Sequence, residues 1–214
     1  MRTSDAMSNP WRTIPESDYI GHMANPAVGQ YNVLDALFAA AVADARPVEL
    51  LVVGCSTGHG FDHIDSSVTR RVTGVEINQH YVSTLRRRAD HWRFALDVRC
   101  ADISTCAFDT ASFDLIHAAL VLEYVPWREL LPHLASWLKP GGVLSVVLQR
   151  PSAATPAVTP TPFTSLLALE SIFTFVEPEQ FIREANRHDM ALVSRQVVPL
   201  PSAKSFAALR LRRQ

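Results

Sequence analysis

Apolar positions along this chain follow two alternating patterns. "VELLVV" at 48–53 and "GVLSVVL" at 142–148 are near-continuous apolar runs, as expected of strands covered by helices on both faces. Further strands are predicted at 71–76, 95–100 and 113–119. Helices are predicted between them at about 58–65, 78–91 and 127–138. Strands alternating with helices imply an α/β fold built on a parallel sheet. Upstream, Tyr31, Leu34, Phe38, Ala41 and Val42 recur at helical spacing within 27–44, and Pro47 ends that helix. Residues 1–26 carry Pro10, Pro15, Gly21 and Pro26 without a clear period and read as an extended or irregular lead-in.

Beyond the fifth strand, residues 150–165 contain Pro151, Pro156, Pro160 and Pro162. Proline at that density excludes a regular helix or a central strand. The segment is a loop, either a plain connector or a partial lid over a substrate. Glu177-Pro178-Glu179 introduces a helix predicted at 178–188. "MALVSRQVV" and "SFAALRLRR" then read as two strands joined by "PLPSA", a hairpin that makes the last strand antiparallel to its neighbour.

Composition narrows the class. The 214 residues fit one domain, with 48% hydrophobic and 19% charged residues. A formal net charge of −1 provides no field for nucleic acid or an anionic membrane. Cys55, Cys100 and Cys106 form an odd set with no Cys-x-x-Cys pair, which fits a reducing compartment. The N-terminus lacks a signal-peptide profile, and no apolar run nears the roughly 20 residues of a membrane span. The expectation is a soluble cytoplasmic protein.

The first strand runs into "GCSTGHG" (54–60). A strand that ends in glycines and leads to a helix lets backbone amides approach a ligand closely. Glu76 ends the next strand, 22 residues after Gly54, an interval at which a carboxylate can accept from both hydroxyls of a ribose. Asp102 follows the third strand, where it can accept from an exocyclic amino group with Ile103 flat beside the ring. Three successive strand tips thus address an adenosine-shaped ligand at the carboxyl edge of the sheet.

On these residues the chain resembles the class I S-adenosylmethionine-dependent methyltransferases over roughly 48–148. "VVGCSTGHG", "TGVEIN" and "CADI" are similar to their cofactor motifs. "SFDLIHAALVLEYVP" is similar to their fourth strand and the segment after it, and "LLPHLASWLKPGGVLSVVL" to their helix, turn and fifth strand. The resemblance implies a Rossmann-like open sheet of about seven strands, mostly parallel with the last antiparallel, and helices on both faces. It divides a single domain, 1–214, into a lead-in and capping helix (1–46), a cofactor-binding core (47–149), and a lid loop, helix and hairpin (150–214). The implied cofactor is S-adenosyl-L-methionine, with S-adenosyl-L-homocysteine as product. Its expected contacts are Gly54, Cys55, Ser56, Gly58, Glu76, Ile77, Asp102, Ile103 and Ala119, with Tyr19 or His22 reaching its carboxylate from the capping segment. Two positions depart from the family pattern. Val52 stands where an acidic residue is usual, and Ser56 replaces the middle glycine.

Methyl transfer from a sulfonium requires a collinear nucleophile, methyl and sulfur, and exclusion of water. Glu123 and Tyr124, beyond the fourth strand, are the candidates for a base, without a firm assignment. His117 lies inside a strand and reads as a core histidine. His59 and His63 share a face but lack a third ligand, so no metal is expected. Arg86, Arg87 and Arg88 read as a solvated helix face. The absence of an Asn-Pro-Pro-Tyr-like element after the fourth strand points away from nucleic acid or a glutamine side chain, and the proline-rich loop and apolar N-terminal helix point to a small or lipophilic acceptor, with the chain a monomer or homodimer. Two rivals remain. One is a protein of this fold that binds without catalysing. The other is a nicotinamide-dependent oxidoreductase, which lacks the Tyr-x-x-x-Lys pair it would need.

Overall fold

The structure is a computed structural model that describes residues 9–153 and 155–214. Its centre is a seven-stranded sheet in the order β3-β2-β1-β4-β5-β7-β6. The strands are β1 Glu49–Val53, β2 Arg71–Glu76, β3 Ala95–Cys100, β4 Phe113–Ala119, β5 Leu138–Arg150, β6 Met190–Pro199 and β7 Ser205–Arg213. All neighbours from β3 to β5 pair in parallel, and β7 runs antiparallel to both β5 and β6. The C-terminal hairpin therefore forms as the sequence predicts. Because β1 to β5 are parallel, their carboxyl ends share one edge, where open α/β sheets bind ligands.

Helices cover both faces. They are α1 Glu16–Ala24, α2 Gln30–Ala45, α3 Gln79–Arg87, α4 Trp127–Trp137 and α5 Pro178–Asn186. One core joins Leu51, Val53, Ile116 and Val146 to Leu131 and Leu134 of α4 and Phe181 of α5. The opposite core joins Leu50, Val52 and Val72 to Phe38 of α2 and Val82 and Leu85 of α3. Among the described residues, no helix is long and apolar enough to cross a membrane.

Two sequence expectations are corrected. The lead-in is not irregular throughout: Glu16–Ala24 form α1, following a single 3-10 turn at Pro10–Arg12, while residues 1–8 lie outside the described set. Glu16 and Asp18 in its first turn suit the positive end of a helix. Its inner side carries His22 and Met23 rather than an apolar stripe, so the helical period was hidden. The helix expected at 58–65 is replaced by turns and one 3-10 turn, Phe61–His63. Gly58 and Gly60 both take φ near +80°, which an α-helix does not admit.

A smaller layer roofs the sheet edge. α1 meets the proline-rich loop and a 3-10 helix at Thr164–Ser171 around Ile14, Val158, Leu166 and Leu169. Ser165 donates to Asp18 at 2.6 Å. A Cβ on Gly21 would overlap the Phe163 ring, so the ring lies directly on the helix backbone.

Candidate active site

A cavity of about 1120 Å³, part of it open to solvent, lies between the strand tips and this roof. Under β1, β2 and β3 its wall is built from neighbouring sequence. Gly54 and Cys55 both donate their amides to the Val75 carbonyl, at 2.9 and 3.2 Å, which fixes the turn against β2. Gly54 sits at φ +67°, and a Cβ there would meet Val121 at 3.3 Å. Glycine is therefore required both by its backbone angle and by the narrow approach.

The Glu76 carboxylate is buried and accepts from the amides of Ser56 and Asn78, each at 2.9 Å. Burial raises its pKa while these amides oppose the rise. A carboxylate offers about four acceptor positions, so each oxygen keeps capacity for a further donor such as a ribose hydroxyl. Asp102 accepts through Oδ1 from the amide and hydroxyl of Ser104, at 2.9 and 2.7 Å. No hydrogen bond among the described residues uses its other oxygen. Ile77 and Ile103 line the same stretch of wall.

Asn78 ties the lead-in down over this wall. Its Oδ1 accepts from His80, and its Nδ2 donates to the carbonyls of Trp11 and Ile14 at 2.9 and 3.0 Å. Tyr19 descends from α1 so that its phenol lies against Ser56 and Glu76. Burial, reinforced by Glu76, pushes that phenol up to about 12, so it remains protonated. Among the described residues, the buried Ser56 hydroxyl makes no well-formed hydrogen bond. An orphaned hydroxyl, two carboxylates with spare acceptor positions and a Cβ-free approach at Gly54 fit S-adenosylmethionine. Glu76 would hold its ribose, Asp102 its adenine amino group, and Ile77 and Ile103 its ring. Tyr19 and Ser56 face the adjoining space. Once bound, the cofactor supplies an electrophilic methyl on sulfur.

Not every expected residue reaches the cavity. Cys55 is buried on the core side, where a Cβ on Gly74 would strike its sulfur, and burial pushes its thiol up. Gly58 lies against Leu85 and Trp92 and does not line the cavity. Val52 is buried in the apolar α2–α3 core, where a carboxylate would be taken out of water.

The other half of the cavity lies at the tips of β4, β5 and β7. Ala119, Leu120 and Val121 form its floor, Gln149 and Lys204 one side, and His22, Met23, Leu166 and Leu169 the roof. Tyr124 is part of this wall and meets the rings of Trp11 and Phe173 edge-on, with centroids 5.3 and 5.5 Å away. Burial drives its phenol well above the usual range. Glu123 does not line the cavity. One of its oxygens accepts from the Gln149 amide at 2.7 Å, the other has no partner among the described residues, and burial pushes the carboxyl up to about 7.

His22 lines the roof, with Nδ1 3.0 Å from the Thr161 hydroxyl of the lid. Burial, aided by the charge of Lys204, pushes it down to about 4, so it is neutral near pH 7. A neutral imidazole gives little electrostatic hold on a cofactor carboxylate. His117 is a core residue, 3.1 Å from Ser145 and edge-on to Phe38. His59 and His63 both approach Asp35, at 3.6 and 2.7 Å. Among the described residues, no group of three side chains is arranged to hold a metal. Sequence reasoning missed Trp11, Gln149 and Lys204. Lys204 did carry a signal, because a chain this rich in arginine has only one other lysine, Lys139.

A methyltransferase-domain family matches residues 50–142, which include Gly54, Glu76, Asp102 and the Gly141-Gly142 turn. A sequence search of curated proteins finds no match. Solved structures with similar folds include the [4+2]-cyclase SpnF, at 15% identity and TM-score 0.69, covering 96% of this chain and 97% of that one. The N-methyltransferase NodS from Bradyrhizobium japonicum, in complex with S-adenosyl-L-homocysteine, aligns at 16% identity and TM-score 0.68, covering 96% and 98%. The 1,6-didemethyltoxoflavin-N1-methyltransferase from Burkholderia thailandensis aligns at 14% and 0.68, covering 100% and 93%. At such identities the likeness bears on the fold, and the domain match bears on the chemistry. Residues 50–142 therefore carry a methyltransferase domain, set on a sheet whose fold is that of these solved neighbours.

Proposed function

We propose that the protein transfers a methyl group from S-adenosylmethionine to an oxygen, nitrogen or carbon nucleophile of a small molecule held in the β4–β5–β7 half of the cavity. One observation carries this reading. The cavity continues from the strand tips that suit a nucleoside into a roofed and largely apolar chamber. Its roof, α1 and the lid, restricts the chamber to compact acceptors and keeps water from the reacting atoms.

The chain's own contribution is placement. Tyr124 retains its proton, Glu123 lies off the wall, and neither is positioned as a ready base. Aligning the nucleophile and shedding water are then the main sources of acceleration. Calorimetry with S-adenosylhomocysteine, followed by methyl transfer from labelled S-adenosylmethionine to a panel of small amines, phenols and acids, tests the proposal. Saturable binding and a labelled small product support it. Labelling of RNA alone would overturn it.

A second reading, a cofactor binder that does not transfer methyl groups, draws support from Val52. That core position holds no carboxylate to help orient the methionine end of the cofactor. Tight binding of S-adenosylmethionine without turnover across the panel would favour it.

A further inference from the structure

We propose that the acceptor carries an anionic group, a carboxylate or one of similar charge and size, which pairs with Lys204 at the far end of the acceptor chamber. This rests on the methyl-transfer reading and specifies its substrate class. Lys204 precedes β7, beside the tip of β5, on the opposite side of the cavity from the nucleoside wall. It is only 4% exposed, and lysine is seldom buried so completely without a counter-charge. Among the described residues its ammonium donates to one group, the Ala157 carbonyl at 2.7 Å. Among the described residues, no carboxylate lies within ion-pair distance of it, and Glu170 acts on it only at longer range.

Lys204 lines the cavity, and its protein surroundings among the described residues do little to neutralise it. The Gln149 side chain also donates to the Ala157 carbonyl, at 2.8 Å, so that acceptor is shared by two donors. His22 is the other titratable group facing Lys204, and it is neutral. An ammonium has three donor positions, and one is used. Leu34, Leu120 and Leu169 line the same chamber and suit an apolar body attached to the anionic group. A buried cation facing a cavity is costly when empty, and an anionic ligand reverses that cost through a charge-assisted hydrogen bond.

The test uses matched acids and amides on the full chain saturated with S-adenosylhomocysteine. Octanoate and 3-phenylpropanoate are titrated at pH 7 against octanamide and 3-phenylpropanamide. The expected result is at least a tenfold preference for each acid over its amide. That preference should disappear in Lys204→Met, while affinity for S-adenosylhomocysteine stays within twofold. In the unmodified protein, acid binding should weaken as pH rises through about 8, where this buried lysine loses its proton. The pH arm does not depend on how the variant folds. Equal binding of acids and amides, or an acid preference indifferent to pH and to Lys204→Met, overturns the proposal while leaving the methyl-transfer reading intact. A tenfold or greater loss of S-adenosylhomocysteine affinity in Lys204→Met overturns it by assigning the lysine to the cofactor. Failure of S-adenosylhomocysteine to bind the unmodified protein removes the underlying reading as well.

Discussion

The two halves of the cavity are built in opposite ways. Under β1, β2 and β3, both carboxylates are held by nearby backbone: Ser56 and Asn78 amides hold the buried Glu76, and the Ser104 amide holds the half-buried Asp102. Under β4, β5 and β7, among the described residues, Glu123 keeps an oxygen without a partner and Lys204 makes one bond. The roof above them joins α1 to residues about 140 positions away, as in the His22–Thr161 contact. The first half is therefore prepared for a fixed ligand. In the second, Lys204 faces the cavity with donor capacity that a ligand could use, while Glu123 is buried behind the wall.

Each half can be broken separately. Gly54→Val should cause the largest effect, because it forces a branched side chain into a positive-φ position and against Val121. Calorimetry should show S-adenosylhomocysteine binding weakened by more than about 100-fold, equivalent to roughly 3 kcal/mol. Binding within a few-fold of normal would place the cofactor away from this turn.

Glu123→Gln probes the unsatisfied half through stability. A carboxyl raised from its ordinary value to about 7 binds a proton in the folded chain that the unfolded chain has released. Its cost is absent below about pH 4.5, grows as pH rises toward 7, and is then constant. The variant should match the unmodified protein near pH 4.5 and exceed it above pH 7 by up to about 3 kcal/mol in denaturant melts. His117 acts with the opposite sign. Held down at about 4 by burial, it leaves stability intact above about pH 6.5 and removes it as pH falls toward 4. A Glu123→Gln difference that is flat with pH would mean that this carboxyl is not buried as described.

Glu76→Ala should weaken S-adenosylhomocysteine by about 1–3 kcal/mol, the scale of hydrogen bonds to a charged group. It should also lower the melting temperature, because two amides lose their acceptor. Loss of stability with unchanged affinity would make Glu76 purely structural. Asp102→Asn keeps one oxygen for Ser104 and should cost about 1 kcal/mol of affinity, read by the same titration.

The same contrast explains what the sequence discloses. The nucleoside wall is local: each strand and its tip residue are adjacent in the chain, so the apolar runs and the spacing of Gly54, Glu76 and Asp102 reveal them together. The parallel α/β character follows from the same alternation, and the antiparallel β7 from the two apolar runs joined by the "PLPSA" turn. The helix expected at 58–65 fails because two glycines there serve a turn. Helix α1 escapes notice because its inner side faces a cavity, and an apolar stripe is the signature of a helix on a packed core. Lys204, Gln149 and Trp11 come together only through tertiary structure, and nothing in their immediate neighbours marks them.

The central claim is that Gly54, Glu76 and Asp102 converge on one nucleoside. A crystal structure with S-adenosylhomocysteine tests it most directly. The expected density places both ribose hydroxyls on Glu76, the adenine amino group at Asp102, and the ring between Ile77 and Ile103. Cofactor product bound elsewhere, or lying across Lys204 with Glu76 untouched, would contradict the account.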